Sequence, residues 1–356
     1  MDPARLIPTP DTIPAPWGFF EPLLILTFFA HLIFMNAMLG TALIALVREM
    51  RTPPNGPPPC RDIANKLPYT IAMAVNFGVA PLLFLQVLYG HFIYTSSILM
   101  GAYWLSIIGL LILAYYSAYL YKMATDLSAA ARKWSLGTSL VLLLTIAFLF
   151  VNNITLMQTP ARWTVYFQRA NGTFLNLGEP TLLARYLHFV VASVATGGLF
   201  LAILASFQQK RGAVGAAKRL SGGMQWFTYA TMVEIGTGIP FLFSLPKNVS
   251  RLFVGGAPLH TSLFTASLIA AFCSLYYGNK ERVWPATWAM GATVLAMVLM
   301  RDLARQAYLA EYFHPGDLQV VPQWSPMFLF LAILVLGVAA VIYMLRLASR
   351  VPQEVR

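Results

Sequence analysis

Five histidines are the residues of this sequence best suited to chemistry, and four of them fall within long apolar stretches. His31 lies at the centre of the stretch "EPLLILTFFAHLIFMNAMLGTALIAL" (21–46), and His91, His188 and His260 lie in later ones. Polar groups are costly in hydrocarbon and tend to mark functional sites there. Because imidazole is a common axial ligand of haem iron, the pattern favours a haem site. An interhelical hydrogen bond is the alternative for each histidine taken singly.

The apolar stretches themselves predict helices that cross a membrane. Hydrophobic residues make up 58% of the 356-residue chain and charged residues 10%, and the mean hydropathy is +0.66. A helix needs roughly 20 apolar residues to span the hydrocarbon core. The sequence therefore predicts an all-α integral membrane protein, with a single transmembrane domain over 1–356. Its nine predicted spans are 18–47, 68–98, 101–123, 135–158, 182–207, 222–245, 258–278, 284–303 and 325–347.

The distribution of lysine and arginine predicts the orientation. Basic residues gather in the connections after the first, third, fifth and seventh spans and near the C-terminus, and such clusters stay in the cytoplasm. The N-terminus is therefore expected outside and the C-terminus inside a bacterial or archaeal cytoplasmic membrane, with outer segments at 1–17, 159–181 and 304–324. All five histidines then lie in the outer half. Topology accounts for the formal net charge of +11, so no nucleic-acid partner is expected.

Glu234 and a pair of arginines add polar groups to the spans. Glu234 lies near the middle of the sixth span, in "TMVEIGTGIPF", where burial favours the neutral carboxyl. We expect it to relay protons or contact a quinol, or else to be a protonated acid bonded to a neighbouring helix. Arg301, Asp302 and Arg305, near the outer end of the eighth span, can hold haem propionates through charge-assisted bonds. A cluster that snorkels to the interface is the alternative.

Glycine and cysteine positions add two constraints. Gly197 and Gly198 in the fifth span allow a neighbouring body to approach closely. The two cysteines, Cys60 and Cys273, are not part of a C-x-x-C-H motif. Any haem is therefore expected to be held without thioether bonds.

Several of these stretches resemble subunit I of the cytochrome bd oxidase family. The run "ILTFFAHLIFMNAMLGTALIAL" (25–46) is similar to the first helix of the family, and "NFGVAPLLFLQVLYG" (76–90) to its second. "MQTP" (157–160), followed by "RYLHFVVASVATGGLFLAI" (185–203), resembles the approach to the fifth helix and that helix itself. The resemblance implies that His31 ligates a haem of the active-site pair and that His188 ligates the low-spin haem b.

The resemblance breaks at the second ligand of the low-spin haem. The family uses a methionine of the seventh helix, whereas "APLHTSLFTASLIAAFCSLYY" (257–277) contains none. His260 is available near the same end, so we predict a His188/His260 pair in place of His/Met. A bis-imidazole site typically has a lower reduction potential, because thioether ligation raises it.

Other family positions are also altered. The resemblance places Gln86 and Ile108 at the positions of two glutamates of the family's proton path, and neither residue is an acid. Glu311 is the nearest candidate for a glutamate that ligates a haem in the family; a solvated loop acid is the alternative. His91 lies near the outer active-site region but matches no family ligand, and it is kept as a candidate metal ligand.

The resemblance implies a quinol-linked oxidoreductase. The first expectation is a membrane b-type cytochrome that passes electrons between the quinol pool and a redox partner near the outer face. It would hold two or more haems b, with haem d as the alternative type, and would contact other membrane subunits, either subunit II-like or homologous to this chain. The second is a quinol-oxidising dioxygen reductase of the cytochrome bd type. The third is a haem-poor structural subunit of such a complex.

Overall fold

The predicted class of an all-α membrane protein is confirmed. The computed structural model describes residues 3–53, 60–124 and 128–350. Within these ranges the structure is helical and contains no strand, with one isolated bridge between Ile13 and Val320. Eight of the described helices are long and apolar enough to cross a membrane. Residues 1–2 of the predicted outer segment and residues 351–356 of the predicted cytoplasmic C-terminus lie outside the described residues.

Nine long helices occupy the nine predicted spans, but only eight of them have the composition of a membrane span. The exception is the helix over the predicted span 222–245, which carries Glu234 and many small polar residues and begins close to Lys218 and Arg219. A count of nine membrane crossings therefore stays a prediction. The long helices are α1 (Trp17–Arg51), α2 (Arg61–Leu99), α3 (Gly101–Ala124), α4 (Ala129–Met157), α5 (Pro180–Lys210), α6 (Ala216–Ser244), α8 (Pro258–Asn279), α9 (Val283–Leu309) and α10 (Trp324–Arg350). A short helix, α7 (Lys247–Arg251), and a π-helical turn (Leu252–Gly256) connect α6 to α8.

The predicted start of the outer loop 304–324 is wrong, because helix α9 continues to Leu309. Arg305, predicted near the outer end of the eighth span, is buried in the helix and pairs with Asp302 one turn earlier. Gln306 Nε2 donates to Glu21 Oε1 at 2.7 Å and to Asp302 Oδ2 at 2.9 Å. Because polar side chains within the bundle supply these partners, the helix can extend through a charged segment.

The connections separate into two ends of the bundle. The basic end brings together the C-termini of α1 and α5 with the N-termini of α2, α4 and α6, as the bond from Lys133 Nζ to the Thr52 carbonyl illustrates. The opposite end holds the N-termini of α1, α3, α5 and α8 and the C-termini of α2, α4 and α9, and we name it the histidine end. There the backbone N–H of Ala102 donates to the Gly172 carbonyl. The clustering of basic connections at one end agrees with the predicted topology.

Glycines let α1, α5 and α6 cross at very short distances. A Cβ added to Gly197 would lie 2.6 Å from the Thr41 nitrogen of α1, and one on Gly40 would collide with the Ser193 carbonyl of α5. A Cβ on Gly198 would lie 2.6 Å from the Phe227 nitrogen of α6. The predicted role of Gly197 and Gly198 in close approach is therefore confirmed.

A buried ion pair joins α1 to α4 at the basic end. Glu49 is 1% exposed, and its carboxylate accepts from Arg132 Nε and from the Tyr121 hydroxyl, each at 3.1 Å. Breaking such a pair leaves an uncompensated buried charge, which typically costs about 3–5 kcal/mol. The basic end is thus fixed by polar contacts as well as by apolar packing.

Replacing Gly40 by alanine is expected to destabilise the bundle. The new methyl group would push α1 away from α5, and overpacking of this kind costs about 1–3 kcal/mol. The control is Gly109→Ala in α3, where an added Cβ meets nothing within 4 Å. There we expect no loss, or a gain of about 0.5–1 kcal/mol from the better helix propensity of alanine. Denaturant unfolding in detergent measures both free energies of unfolding, and equal values would contradict the close crossing.

Candidate functional site

The histidines lie on four different helices and in one turn. Within the described part of the chain, no three His, Cys, Asp or Glu side chains come together as a metal-binding group. A haem iron needs fewer protein ligands than a metal ion held by side chains alone, because the porphyrin supplies four nitrogens and the protein adds only one or two ligands. Each histidine therefore has to be judged by its own surroundings.

His31 is held against α2 by a single hydrogen bond. Its Nδ1 lies 2.9 Å from the Ala74 carbonyl oxygen. Because a carbonyl only accepts, Nδ1 carries the proton, and Nε2 keeps its lone pair in the neutral ring. Gly78 makes this approach possible, since a Cβ there would lie 2.9 Å from Cε1 of the ring. The ring is thus oriented by backbone groups of α2.

His188 is held against α6 in the same manner. Its Nδ1 lies 3.3 Å from Thr237 Oγ1, and the Thr237 hydroxyl donates to the Glu234 carbonyl at 3.0 Å. With its proton engaged there, the hydroxyl oxygen accepts from Nδ1–H. Nε2 again keeps its lone pair, 4.0 Å from Glu234 Oε1, which is beyond hydrogen-bond distance. The ring stacks on Phe241 and lies close to Gly238.

The two histidines lie at the same depth but on opposite sides of the α1–α5 contact. His31 precedes Gly40 by nine residues, and His188 precedes Gly197 by nine. Both helices begin at the histidine end, so each histidine lies roughly 14 Å from the glycine crossing at 1.5 Å per residue. Nine residues are two and a half turns, which directs each histidine away from the other helix. They therefore belong to two separate sites.

Metal-binding histidines commonly have this geometry. A ligating histidine usually donates its second ring N–H to a carbonyl or other acceptor, which fixes the tautomer and the ring orientation. His31 and His188 both have that bond, through Ala74 and Thr237. Small residues, Gly78 and Gly238, lie beside the rings. The residues present therefore fit axial ligation of a haem through Nε2.

An arginine cluster lies beside His31 near the histidine end. Arg301 is 4.0 Å from the centre of the Phe28 ring, and its charge interacts with His31, Arg185 and Arg305. Arg305 is paired with the adjacent Asp302, whereas among the described residues no carboxylate lies within ion-pair distance of Arg301. Excess positive charge of this kind suits an anionic group. Two haem propionates have the required charge and the oxygen acceptors.

Arg185 and Tyr308 extend this cluster across α5 and α9. Arg185 Nη1 donates to Gln158 Oε1 at 3.0 Å, and the guanidinium lies 5.6 Å from the centre of the Phe241 ring. The Arg185 guanidinium and the Tyr308 hydroxyl also interact with each other, which links α5 to α9.

His260 has a buried ring nitrogen without a partner. It lies in the first turn of α8, its Nδ1 has no hydrogen-bond partner, and its ring contacts that of Phe253 with centres 5.2 Å apart. His188 lies on α5 and contacts α6, which also packs against α8. An iron ligand would satisfy the orphaned nitrogen, and the pairing with His188 stays a prediction.

Four other predicted residues occupy different surroundings. His91 is buried among aromatic side chains, with ring centres 4.4 Å from Phe92 and 4.5 Å from Phe313, which favours a packing role. Glu311 is exposed in the turn after α9, and Gln86 is half-buried on α2. Glu234 is 5% exposed on α6, beside His188. The structure therefore brings Glu234 to the His188 site and leaves His91 and Glu311 outside the contacts of both rings.

Sequence reasoning missed the groups that orient the rings. Thr237 was visible in "TMVEIGTGIPF", one turn after Glu234, and Gly78 in "NFGVAPLLFLQVLYG". Their role depends on which helices are neighbours, and no local pattern gave the pairing of α1 with α2 or of α5 with α6. Arg185 directly precedes the His188 turn, but its membership of the arginine cluster depends on α9.

Fold and site together define a polytopic all-α membrane protein with two oriented, half-buried histidines. Comparison with models of known protein families gives no match to this chain, and comparison with curated proteins gives none either.

The hydrogen bonds of His31 and His188 predict one tautomer for both. In haem-free protein, ¹⁵N NMR of labelled histidine is expected to find Nδ1 protonated and Nε2 unprotonated, with signals assigned through His31→Ala and His188→Ala. Thr237→Val removes the acceptor of His188 and should release that ring while leaving His31 unchanged. The control is Thr196→Val, because Thr196 bonds only to Ala192 of its own helix. An Nε2–H tautomer at both residues would refute the arrangement.

Proposed function

We propose that this chain is an integral membrane b-type cytochrome, built on the scaffold of cytochrome bd oxidase subunit I, that passes electrons between the quinol pool and a redox partner near the histidine end. The observation that carries the proposal is the geometry of His31 and His188. Each donates Nδ1–H to a neighbouring helix and keeps an Nε2 lone pair in the interior. Two such sites at one depth suit two cofactors that exchange electrons.

His31 and His188 would each hold a haem b through Nε2, and His260 is the proposed second ligand of the His188 site. Arg301 and Arg305 would bind propionates, because their combined positive charge exceeds the negative charge of the nearby carboxylates. When bound, haem supplies one-electron redox chemistry. The chain itself fixes the ring orientations, provides apolar surroundings and excludes water, which are the terms by which a protein tunes such a group.

Glu234 is proposed to relay quinol protons, and Gln86 to form a hydrogen bond with the quinol. Glu234 is buried beside His188, where a neutral carboxyl can pass its own proton on and take up the proton released from a quinol hydroxyl. Gln86 cannot exchange a proton in this way but can donate or accept a hydrogen bond. Neither Gln86 nor Ile108, which the resemblance places at the two glutamate positions of the family's proton path, carries a carboxyl, and this favours electron transfer over proton-consuming dioxygen reduction.

Partners are proposed from the surface that the chain presents. None of the most apolar part of α10 is buried, and its mean hydropathy is 2.9. Such a helix contacts lipid or another membrane subunit, in line with a subunit II-like or homologous chain. An extracytoplasmic redox partner would bind at the histidine end. The proposed location is the cytoplasmic membrane of a bacterium or archaeon, with the basic end in the cytoplasm.

Removal of His31 is expected to lower the haem content by one per chain. Its ring is the only described group proposed to ligate that iron, so His31→Ala should release the haem without unfolding the helix. A pyridine haemochrome assay per mole of protein measures the change. His314→Ala is the control, since His314 is exposed and caps a turn. Unaltered stoichiometry in His31→Ala would reduce this residue to packing.

Removal of His260 tests the second ligand of the His188 site. His260→Ala should abolish the low-spin haem signal in optical and electron paramagnetic resonance spectra, and His188→Ala should abolish it too. Cys273→Ser on the same helix is the control, because Cys273 is exposed. If only His188→Ala removes the signal, the proposed pairing is wrong.

Oxygen uptake and colour separate the alternatives. Purified protein that consumes dioxygen with quinol, and loses this activity in His31→Ala, would be a dioxygen reductase. Protein without Soret absorption would be a haem-poor structural subunit. The proposed cytochrome should be coloured, should be reduced by quinol and should consume no dioxygen.

A further inference from the structure

A cavity of about 240 Å³ lies at the basic end, between α1, α2, α5 and α6. Its volume is several times the roughly 30 Å³ that one water molecule occupies in the liquid. It is far from both oriented histidines, which lie toward the opposite end of the same helices. Nothing in the proposed function uses it, and the inference below does not depend on that function.

The lining of the cavity is strongly basic. Arg48, Arg61, Lys66 and Arg219 contribute positive charge, and Asp62 is the one acidic residue among the described residues that line it. The charges come from three helices that converge at this point. Basic residues generally gather on the cytoplasmic side of a membrane protein, which explains why these four residues lie at this end of the bundle. That rule does not explain why they surround one cavity.

A polar bridge ties three helices together at the rim. Gln208 Nε2 of α5 donates to Asp62 Oδ2 of α2 at 3.1 Å, and Arg219 Nε of α6 donates to Gln208 Oε1 at 3.1 Å. The Gln208 amide thus donates to one oxygen of the Asp62 carboxylate and accepts from Nε of Arg219, which holds the Arg219 guanidinium in place. The bridge lowers the acidic character of the rim and positions a cation there.

One wall of the cavity is apolar. Ile63 and Leu67 of α2 are buried, and Phe200, Leu201 and Leu204 of α5 complete this wall. A cationic rim above an apolar wall, at the end of a membrane helix bundle, matches the two parts of a phospholipid.

We propose that this cavity binds a phosphate group through Arg48, Arg61, Lys66 and Arg219. The expected source of this phosphate is an anionic phospholipid whose acyl chain lies along the apolar wall. Basic pockets between membrane helices on the cytoplasmic side bind such head groups. Inorganic phosphate shares the recognised chemistry, and the test separates the two sources.

The test compares two double variants of the full-length protein with equal loss of charge. Lys66→Gln with Arg219→Gln removes two exposed cations of the rim, and Lys210→Gln with Lys218→Gln removes two exposed cations at the same end outside the cavity. Native mass spectrometry in detergent measures binding of phosphatidylglycerol and phosphatidylcholine. We expect the unsubstituted protein and the Lys210/Lys218 variant to prefer phosphatidylglycerol. The rim variant should bind it roughly 30-fold more weakly, which corresponds to about 1 kcal/mol for each charge.

Inorganic phosphate provides the second arm. If phosphate raises the melting temperature of the protein and the rim variant loses this effect, while neither protein distinguishes the two lipids, the site binds the free anion. The proposal is overturned if neither probe binds, or if both double variants weaken binding equally, since that outcome would reflect only the overall charge of this end.

Discussion

The need to satisfy half-buried imidazoles within the bundle is the constraint on which the candidate site depends. A polar ring in hydrocarbon requires a hydrogen-bond partner, and His31 finds it in a backbone carbonyl that has a second lone pair to offer. Gly78 leaves the space through which the ring reaches Ala74. His188 depends in the same way on Thr237. Each ring is therefore oriented by its neighbour helix, and neither site exists until α1 packs on α2 and α5 on α6 in one register.

That register is set by glycine. Gly40 and Gly197 bring α1 and α5 together at one level, and Gly198 brings α6 against α5. Because the two histidines precede the α1–α5 crossing by the same number of residues, one contact fixes the depth of both. The same spacing directs them to opposite sides of the crossing. The relative placement of the two rings thus depends on a few positions without side chains.

The sequence predicted the long helices because hydropathy is local, and it is least informative where polar contacts replace apolar ones. α6 is helical over 216–244, but its composition falls short of a membrane span because one face carries Glu234 and small polar residues toward α5. α9 runs past Arg305 because Asp302 neutralises that charge inside the bundle. The histidines could be selected from the sequence by their cost in hydrocarbon, but Thr237 could not, since its role depends on a helix pairing that no single stretch encodes.

Two arginines of the bundle, Arg132 and Arg301, differ in a way that bears on what the histidine end binds. Arg132 is 5% exposed, and Glu49 and Tyr121 complete its network. The fold is therefore able to supply a carboxylate to an arginine inside the bundle. At Arg301 it supplies the face of Phe28 and two further arginines instead. An anionic group beside His31 would complete the partners of Arg301, as the propionates of the proposed haem would do.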